Sequence, residues 1–562
     1  MGYQPDYIVV GMDASFYRCK QILIIDDCAP VRTSIKAMAQ QIGFESIHLA
    51  RDANEAIAKC HEIPFDFILS DFNLGEGKDG YQLFETLKTR QLLAPLNCFI
   101  MVSAENQRQI VHGMIELQPD DYLLKPFTYQ QLEERISRAV KSRIALRKIY
   151  VSLFAQDYQN AIAECDNAVV QKPEFTAAAL RIKGELLLKL RSYAEAEAFY
   201  QQVLQQYKTT AWARLGYAVA CFYQQRWDDT ELQLADLTQF DETKVEALDW
   251  LSRLYVKYRR FEIAHDTLYE AVLLSPKNIT RQKTLANLAS IIGDKPASAR
   301  INSKIVAAAR HSVNDTAENY LNQARSLVDA AYCGNVLERA VTINNAAKIV
   351  DHLAKRFDGS KLTAEITILR SRFLAAKGEL ADAKQLISEI PLSYQHTITI
   401  DSCMDAAKAY FELGDLYASQ VYIDKLQHIL ERDDFLTETQ RIMLEMEQLR
   451  HEELKNKLKI INTEAAQAYQ REDFNTAFDR FAETFDYMPT NPTIAINLMQ
   501  TLVKGARVTP ISQRYVRAAV KLLARSELDD DLMLRFKRYL AQIKALHPDV
   551  IPRRRPKERE VL

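Results

Sequence analysis

The chain has 562 residues, 48% of them hydrophobic and 26% charged, a globular composition with room for three or four domains of about 150 residues. Its 72 Lys and Arg nearly balance its 74 Asp and Glu, for a net charge of −2, so no bulk charge draws it to nucleic acid or an anionic membrane. No window approaches the roughly 18 uninterrupted apolar residues that a membrane span needs, and the eight cysteines are scattered without a C-x-x-C pair, which argues for reduced thiols and a cytoplasmic setting.

The opening MGYQPDYIVVGMDASFYRCK has no basic region followed by a long apolar core, so it is not expected to be a secretory signal. Asp6 stands where a myristoylation motif needs Ser or Thr. From residue 21 onward, apolar runs alternate with amphipathic segments. The expected strands are ILIIDD (22–27), SIHLA (46–50), FDFILSD (65–71), CFIMVSA (98–104) and DDYLLKPF (120–127). Between them lie the helical patterns VRTSIKAMAQQ, NEAIAKCHE, YQLFETLKTR and RQIVHGMIEL, and TYQQLEERISRAV closes the unit. Such alternation predicts an α/β fold, a five-stranded parallel sheet wound on both faces.

Ligands of open parallel sheets bind beyond the carboxyl ends of the strands. Those ends carry Asp26 and Asp27, then Asp71, Ser103 and Lys125. Three carboxylates on one rim repel unless a cation joins them. An all-oxygen donor set suits Mg²⁺, which keeps some of its waters for a phosphate. A lysine and a hydroxyl beside the ion complete a cradle for a phosphoryl group, and a carboxylate there can become an acyl phosphate.

The DD pair, the Asp after the third strand, VSAE and YLLKP together make residues 20–142 resemble a response-regulator receiver domain of the two-component systems. That resemblance implies a flavodoxin-like fold and Asp71 as the acceptor of a phosphoryl group from a sensor histidine kinase. It further implies that Asp27 binds Mg²⁺ directly, Asp26 through water, and the Asn73 carbonyl beside them. Ser103 and Lys125 would hold the phosphoryl oxygens, Tyr122 would be the aromatic that swings inward, and the Lys125–Pro126 bond would be cis. Two features depart from the family's pattern. Gly75 replaces the usual proline four residues after the acceptor, and Gly80 falls one residue late, so the LGEGKDG loop reads as lengthened.

Beyond residue 140 the sequence is helical. Tyr158, Tyr193, Trp227 and Phe261 recur at spacings of 35, 34 and 34 residues, each followed three residues later by Ala161, Ala196, Thr230 or Ala264. Pro173 and Pro276 fall fifteen after the first and last. A period near 34 resembles that of tetratricopeptide (TPR) repeats, helix pairs that stack into a solenoid. Phe474, Ala477 and Pro489 restore the same offsets late in the chain. The expected organisation is an N-terminal arm (1–19), the receiver (20–142), clear TPR repeats (143–278), divergent TPR-like repeats (279–450), a C-terminal TPR-like region (451–548) and a basic tail (549–562). The charged segment 430–465 reads as one long helix, a spacer or dimer seam, or as a solvated repeat helix.

No Walker-type loop, H-E-x-x-H or helix-turn-helix output follows the receiver. His48, His61, His112 and His265 stand isolated. The arrangement is similar to receiver–TPR regulators of the VieB type, which implies a cytoplasmic signalling adaptor rather than an enzyme. Its partners would be the kinase and a protein held by the array, such as a second response regulator. Two other readings stand beside it. One is a transcription- or RNA-associated regulator using the helical region and basic tail, against which the near-neutral charge speaks. The other is a constitutive scaffold.

Overall fold

The computed structural model describes residues 14–104, 113, 116–390, 399–430, 432–526 and 528–551. The helix expected at 108–117 and the basic tail lie largely outside the described residues, as do His112 and most of the N-terminal arm. Contacts divide the chain into two units, residues 1–288 with 304–316, and 289–303 with 317–562.

In the first unit the strands β1 (Gln21–Ile25), β2 (Ser46–Ala50), β3 (Phe67–Asp71), β4 (Cys98–Ser103) and β5 (Asp121–Leu124) form one parallel sheet in the order β2-β1-β3-β4-β5. Alternate residues of each strand go to opposite faces. Leu23, Ile25, Ile68, Phe99 and Met101 pack with Ala56, Leu83, Phe84 and Leu87 on one side. Ile22, Ile24, Phe67, Leu69 and Ile100 pack with Ile35, Ala39, Leu132 and Ile136 on the other. Every residue of β3 and β4 is buried, whereas the edge strand β5 alternates buried and exposed. Asp52, Asp79 and Thr128 cap the helices Ala53–Glu62, Gly80–Thr89 and Tyr129–Ala145 with their side chains, supplying acceptors to otherwise orphaned backbone N–H groups.

The helix Tyr129–Ala145 turns at the buried Leu146 into Arg147–Phe154, the first of the array. Each periodic aromatic is the first residue of its pair's second helix, giving Tyr158–Gln171, Tyr193–Gln206, Trp227–Leu237 and Phe261–Leu274. Three residues on, Ala161, Ala196, Thr230 and Ala264 are completely buried. Two residues before each aromatic, Gln156, Arg191, Gln225 and Arg259 take left-handed backbone with φ of 59°, 60°, 62° and 58°. This reverses the chain in the manner of a helix-terminating residue. Small residues also admit close packing here. A Cβ at Gly216 would lie 2.0 Å from Tyr200 Cζ, and one at Gly184 2.5 Å from its hydroxyl. Tyr200 is 2% exposed and has nowhere to move. Gly216→Ala is therefore expected to lower stability on balance. Overpacking costs about 1–3 kcal/mol, and helix propensity returns at most about 1 kcal/mol. Faster hydrogen exchange across residues 176–223 with the sheet still protected would show it. An unchanged or raised unfolding midpoint would count against tight packing at this site.

In the second unit the same device continues, with leucine in place of the aromatic at two turns and Phe474 at a third. Gly378 and Gly414, at φ of 83° and 73°, precede the helices Leu380–Ser388 and Leu416–Ile429 by two residues. Glu472, at 59°, precedes Phe474–Tyr487. A hydroxyl link recurs in both units at a separation of twelve residues. Ser252 donates to the Ala264 carbonyl at 2.7 Å and Ser371 to that of Ala383 at 2.8 Å. Ser419 donates to the Ala407 carbonyl at 2.5 Å. Residues 435–470 form one 36-residue helix, Phe435–Gln470, which passes through residue 450 unbroken. Among the described residues no helix is long and apolar enough to cross a membrane.

Candidate phosphoryl-transfer site

The rim read from the sequence is assembled in the first unit. Asp26 lies one residue beyond β1, Asp71 ends β3, Ser103 ends β4 and Lys125 lies one residue beyond β5. Asp26 and Asp71 are buried while Asp27 is exposed. The three carboxylates offer one oxygen each, all within 4.8 Å of one another. Lys125 reaches into the group, with Nζ 2.6 Å from Asp26 Oδ2 and 3.1 Å from Asp71 Oδ1. The Cys28 N–H donates to Asp26 Oδ1 at 2.9 Å and fixes that side chain. Ser103 is buried, and its carbonyl accepts the Lys125 N–H at 2.8 Å. The Lys125–Pro126 peptide is cis, as the resemblance implied.

The electrostatics describe a site short of positive charge. Burial pushes the Asp71 carboxyl above its ordinary value against the pull of Lys125, and Asp26 adds to the push. Burial pulls the Lys125 ammonium down, but its hydrogen bond to Asp26 and the charge of Asp71 outweigh this and hold it above the usual value. The Lys125 ammonium meets two of the three carboxylates, and the Arg32 guanidinium at the same rim is taken up by the Asp26 carbonyl. The donor set is all oxygen, so these residues fit a hard divalent cation such as Mg²⁺.

Asn73 and Tyr122 are placed less directly. Asn73 is exposed, and its side-chain oxygen accepts the Gly75 N–H at 3.2 Å. Tyr122 is 44% exposed on β5, so its ring faces outward here. The glycine departures acquire a physical reason. Gly75 has φ of 74°, which the fixed φ of proline excludes, and a Cβ there would come 3.3 Å from Asp27 Oδ2. Gly80 opens its helix against the end of β3, and a Cβ at that position would lie 2.2 Å from the Asp71 carbonyl oxygen.

A parallel sheet with an aspartate cluster, a lysine and a hydroxyl at its carboxyl rim defines a receiver. Residues 22–137 match the family model of the response regulator receiver domain, and through this domain the chain belongs to that family. Over 118 residues, 21% of this chain, it is 32% identical to the chemotaxis protein CheY of Pseudomonas aeruginosa and covers 94% of that protein. Over 127 residues, 23% of this chain, it is 28% identical to the chemotaxis protein CheY-3 of Vibrio cholerae and covers 96% of it. The solved structure of CheY4 of Vibrio cholerae aligns over 21% of this chain and 98% of its own length, at 22% identity and a TM-score of 0.20. Homology to CheY implies a place in two-component signalling.

Proposed function

We propose that this chain is a response regulator phosphorylated on Asp71 by a sensor histidine kinase, and that its helical region exchanges a protein partner as that phosphorylation comes and goes. The observation that carries the reading is the meeting of Asp26, Asp27 and Asp71 within 4.8 Å, with the Lys125 ammonium beside Asp71. An Asp71 carboxylate oxygen forms the new bond to phosphorus as the phosphorus–nitrogen bond of the kinase phosphohistidine breaks, and the imidazole leaves with the bonding pair. Asp27, Asp71 and the Asn73 carbonyl would hold Mg²⁺ directly and Asp26 through water, and the ion would supply positive charge to the phosphoryl oxygens. Lys125 and Ser103 hold those oxygens, and Tyr122 answers their movement by turning inward.

The repeating helix pairs, with their small buried residues and left-handed turns, support a TPR-type array of the VieB kind and hence an interaction surface. We read the chain as a cytoplasmic adaptor rather than an enzyme, its array holding a protein such as a second response regulator. Partner capture from a lysate, followed by titration of the captured protein with and without Mg²⁺ and beryllofluoride, tests this. The expected change in affinity is about 5- to 150-fold, the usual span of such couplings, and Tyr122→Ala should blunt it. Equal affinities in all arms, with beryllofluoride bound at Asp71, would leave a constitutive scaffold as the better description.

A further inference from the structure

A cleft of about 450 Å³ opens in the second unit, at the turn that joins Ala317–Ala331 to Val336–Arg356. That volume lies in the range of ligand sites. Ala299 and Ala331 are buried in its lining, and Leu327 and Ala330 are half-buried beside them. Two other helices complete it, Lys295–Ala309 with Arg300 and Ser303, and Val336–Arg356 with Glu338 and Thr342 one turn apart. The cleft continues into an exposed apolar strip. Leu337 and Val341, each one residue before a lining residue, are 76% and 55% exposed, and Val336 is 81% exposed. A single exposed leucine needs no explanation, but three large aliphatic side chains within two turns of helix beside an apolar cleft mark an interaction surface.

The lining chemistry selects the partner. Its hydroxyls are spent on their own helices. Ser303 Oγ donates to the Ala299 carbonyl at 3.0 Å and accepts the Gln323 amide at 3.1 Å, and Thr342 Oγ1 donates to the Glu338 carbonyl at 2.9 Å. The surrounding backbone is helical, so an extended peptide meets no row of N–H and C=O groups to pair with. A helix arrives with its backbone already satisfied and needs only side-chain contacts. Charge sets the second condition. Glu338 Oε2 is taken by the Asn335 N–H at 3.0 Å in the helix cap. Arg300 is exposed and, among the described residues, has neither an ion pair nor a hydrogen bond. The Arg339 guanidinium lies 5.3 Å from the ring centre of Tyr332, and its Nε donates to the carbonyl of Ala331 at 3.4 Å. Two guanidinium groups against one engaged carboxylate favour an acidic partner.

We propose that this cleft and the Val336–Val341 strip form a docking site for a short acidic amphipathic helix of a protein partner. Its apolar face fills the cleft over Leu327 and covers Leu337 and Val341, and a flanking Asp or Glu meets Arg300. This rests on the reading of the helical region as an interaction surface and needs nothing from Asp71.

Selection on the full chain from a displayed library of random peptides of about 16 residues, roughly four helical turns, tests the site. Enriched peptides are expected to carry apolar residues at i, i+3, i+4 and i+7 flanked by Asp or Glu. Leu337→Glu and Arg300→Glu alter exposed positions, and with unfolding midpoints unchanged each should weaken binding by at least about tenfold. Cys333 is exposed in the cleft and reports occupancy in the unmutated chain. A peptide at ten times its dissociation constant should slow alkylation of Cys333 roughly tenfold and leave the exposed Cys19 and Cys28 unaffected. Peptides that bind both variants at wild-type affinity and leave Cys333 reactive overturn the cleft, while the interaction-surface reading survives. Enrichment of proline-broken or basic peptides at the cleft overturns the acidic helix as its occupant. Self-association of the wild type that Leu337→Glu abolishes gives the strip to a second copy and overturns the proposal. No enrichment at all counts against the cleft and the interaction-surface reading together.

Discussion

Incubated with a small acyl-phosphate donor and Mg²⁺, the wild-type chain is expected to gain an acid-labile phosphoryl group that Asp71→Asn lacks entirely. The geometry makes the loss complete rather than partial. Asp71 is the only one of the three clustered carboxylates that touches Lys125 from the end of the central strand β3, whereas Asp26 is already committed to Lys125 and to the Cys28 N–H. Chelating Mg²⁺ should abolish labelling of the wild type as well, since three clustered carboxylates repel an incoming phosphate. Asp27→Ala should raise the Mg²⁺ concentration needed for half-maximal labelling by at least about 10- to 100-fold, the cost usual even for residues one shell further from a metal, and excess Mg²⁺ should restore it in part. Equal labelling of wild type and Asp71→Asn would remove the central claim.

A second large effect is expected far from the site, in the second unit. Arg372 is 1% exposed and is among the largest fully buried side chains. Its guanidinium reaches Asp405 at 2.6 Å, Asp329 at 2.8 Å and Glu412 at 2.5 Å. Lys408 holds the other oxygen of Asp329 at 2.6 Å. Burial pushes the Asp329 carboxyl up, but Lys408 and Arg372 overcome it and hold this acid well below its ordinary value. Arg372→Met fills much of the volume, strips Glu412 of its cation and leaves the buried Asp405 with Arg325 alone, 3.6 Å away. Removing one partner of a buried ion pair costs about 3–5 kcal/mol, so the urea midpoint of this unit should fall sharply while phosphorylation at Asp71 persists. A midpoint that moves by less than about 0.5 kcal/mol equivalent would mean that the network is solvated in solution.

The receiver was legible because its chemistry sits where periodicity changes. Four apolar residues ending in Asp71, or in the pair Asp26 and Asp27, mark a strand end without further help, and the order of such ends places them on one rim. The array was legible where an aromatic opened each second helix. It faded between 279 and 450 because the signal there moved to the turn. Gly378 and Gly414 keep the left-handed position that Arg191 or Gln225 fill earlier, but a lone glycine in a helical sequence has many possible reasons. The same holds for Gly75, whose replacement of proline looked like a loosened loop and is a backbone requirement beside Asp27. Charges were the least readable. Arg372 pairs with Asp405, Glu412 and Asp329 across 33, 40 and 43 residues, and ion pairs of that reach leave no periodic trace. The long helix 435–470 was open between two readings, and it resolves as a single element packed into the repeats.

That helix has a mechanical consequence. At about 1.5 Å per residue, 36 residues make a strut of roughly 54 Å. Its first half lies on the preceding pair, with Gln440 donating to Asp401 at 2.8 Å, His451 meeting Ser419 at 2.9 Å and Arg450 over the Phe411 ring. Its second half pairs with Phe474–Tyr487, where Arg480 holds Glu464 at 3.0 Å and Thr484 donates to Asn462 at 3.3 Å. Among the described residues, the other helix pairs of the array are joined through turns, and bending can be absorbed one joint at a time, as in a spring. Across this strut there is no joint. A displacement of residues 400–429 is expected to reach residues 474–487 through the body of one helix rather than across a turn, which makes this stretch a lever within the array.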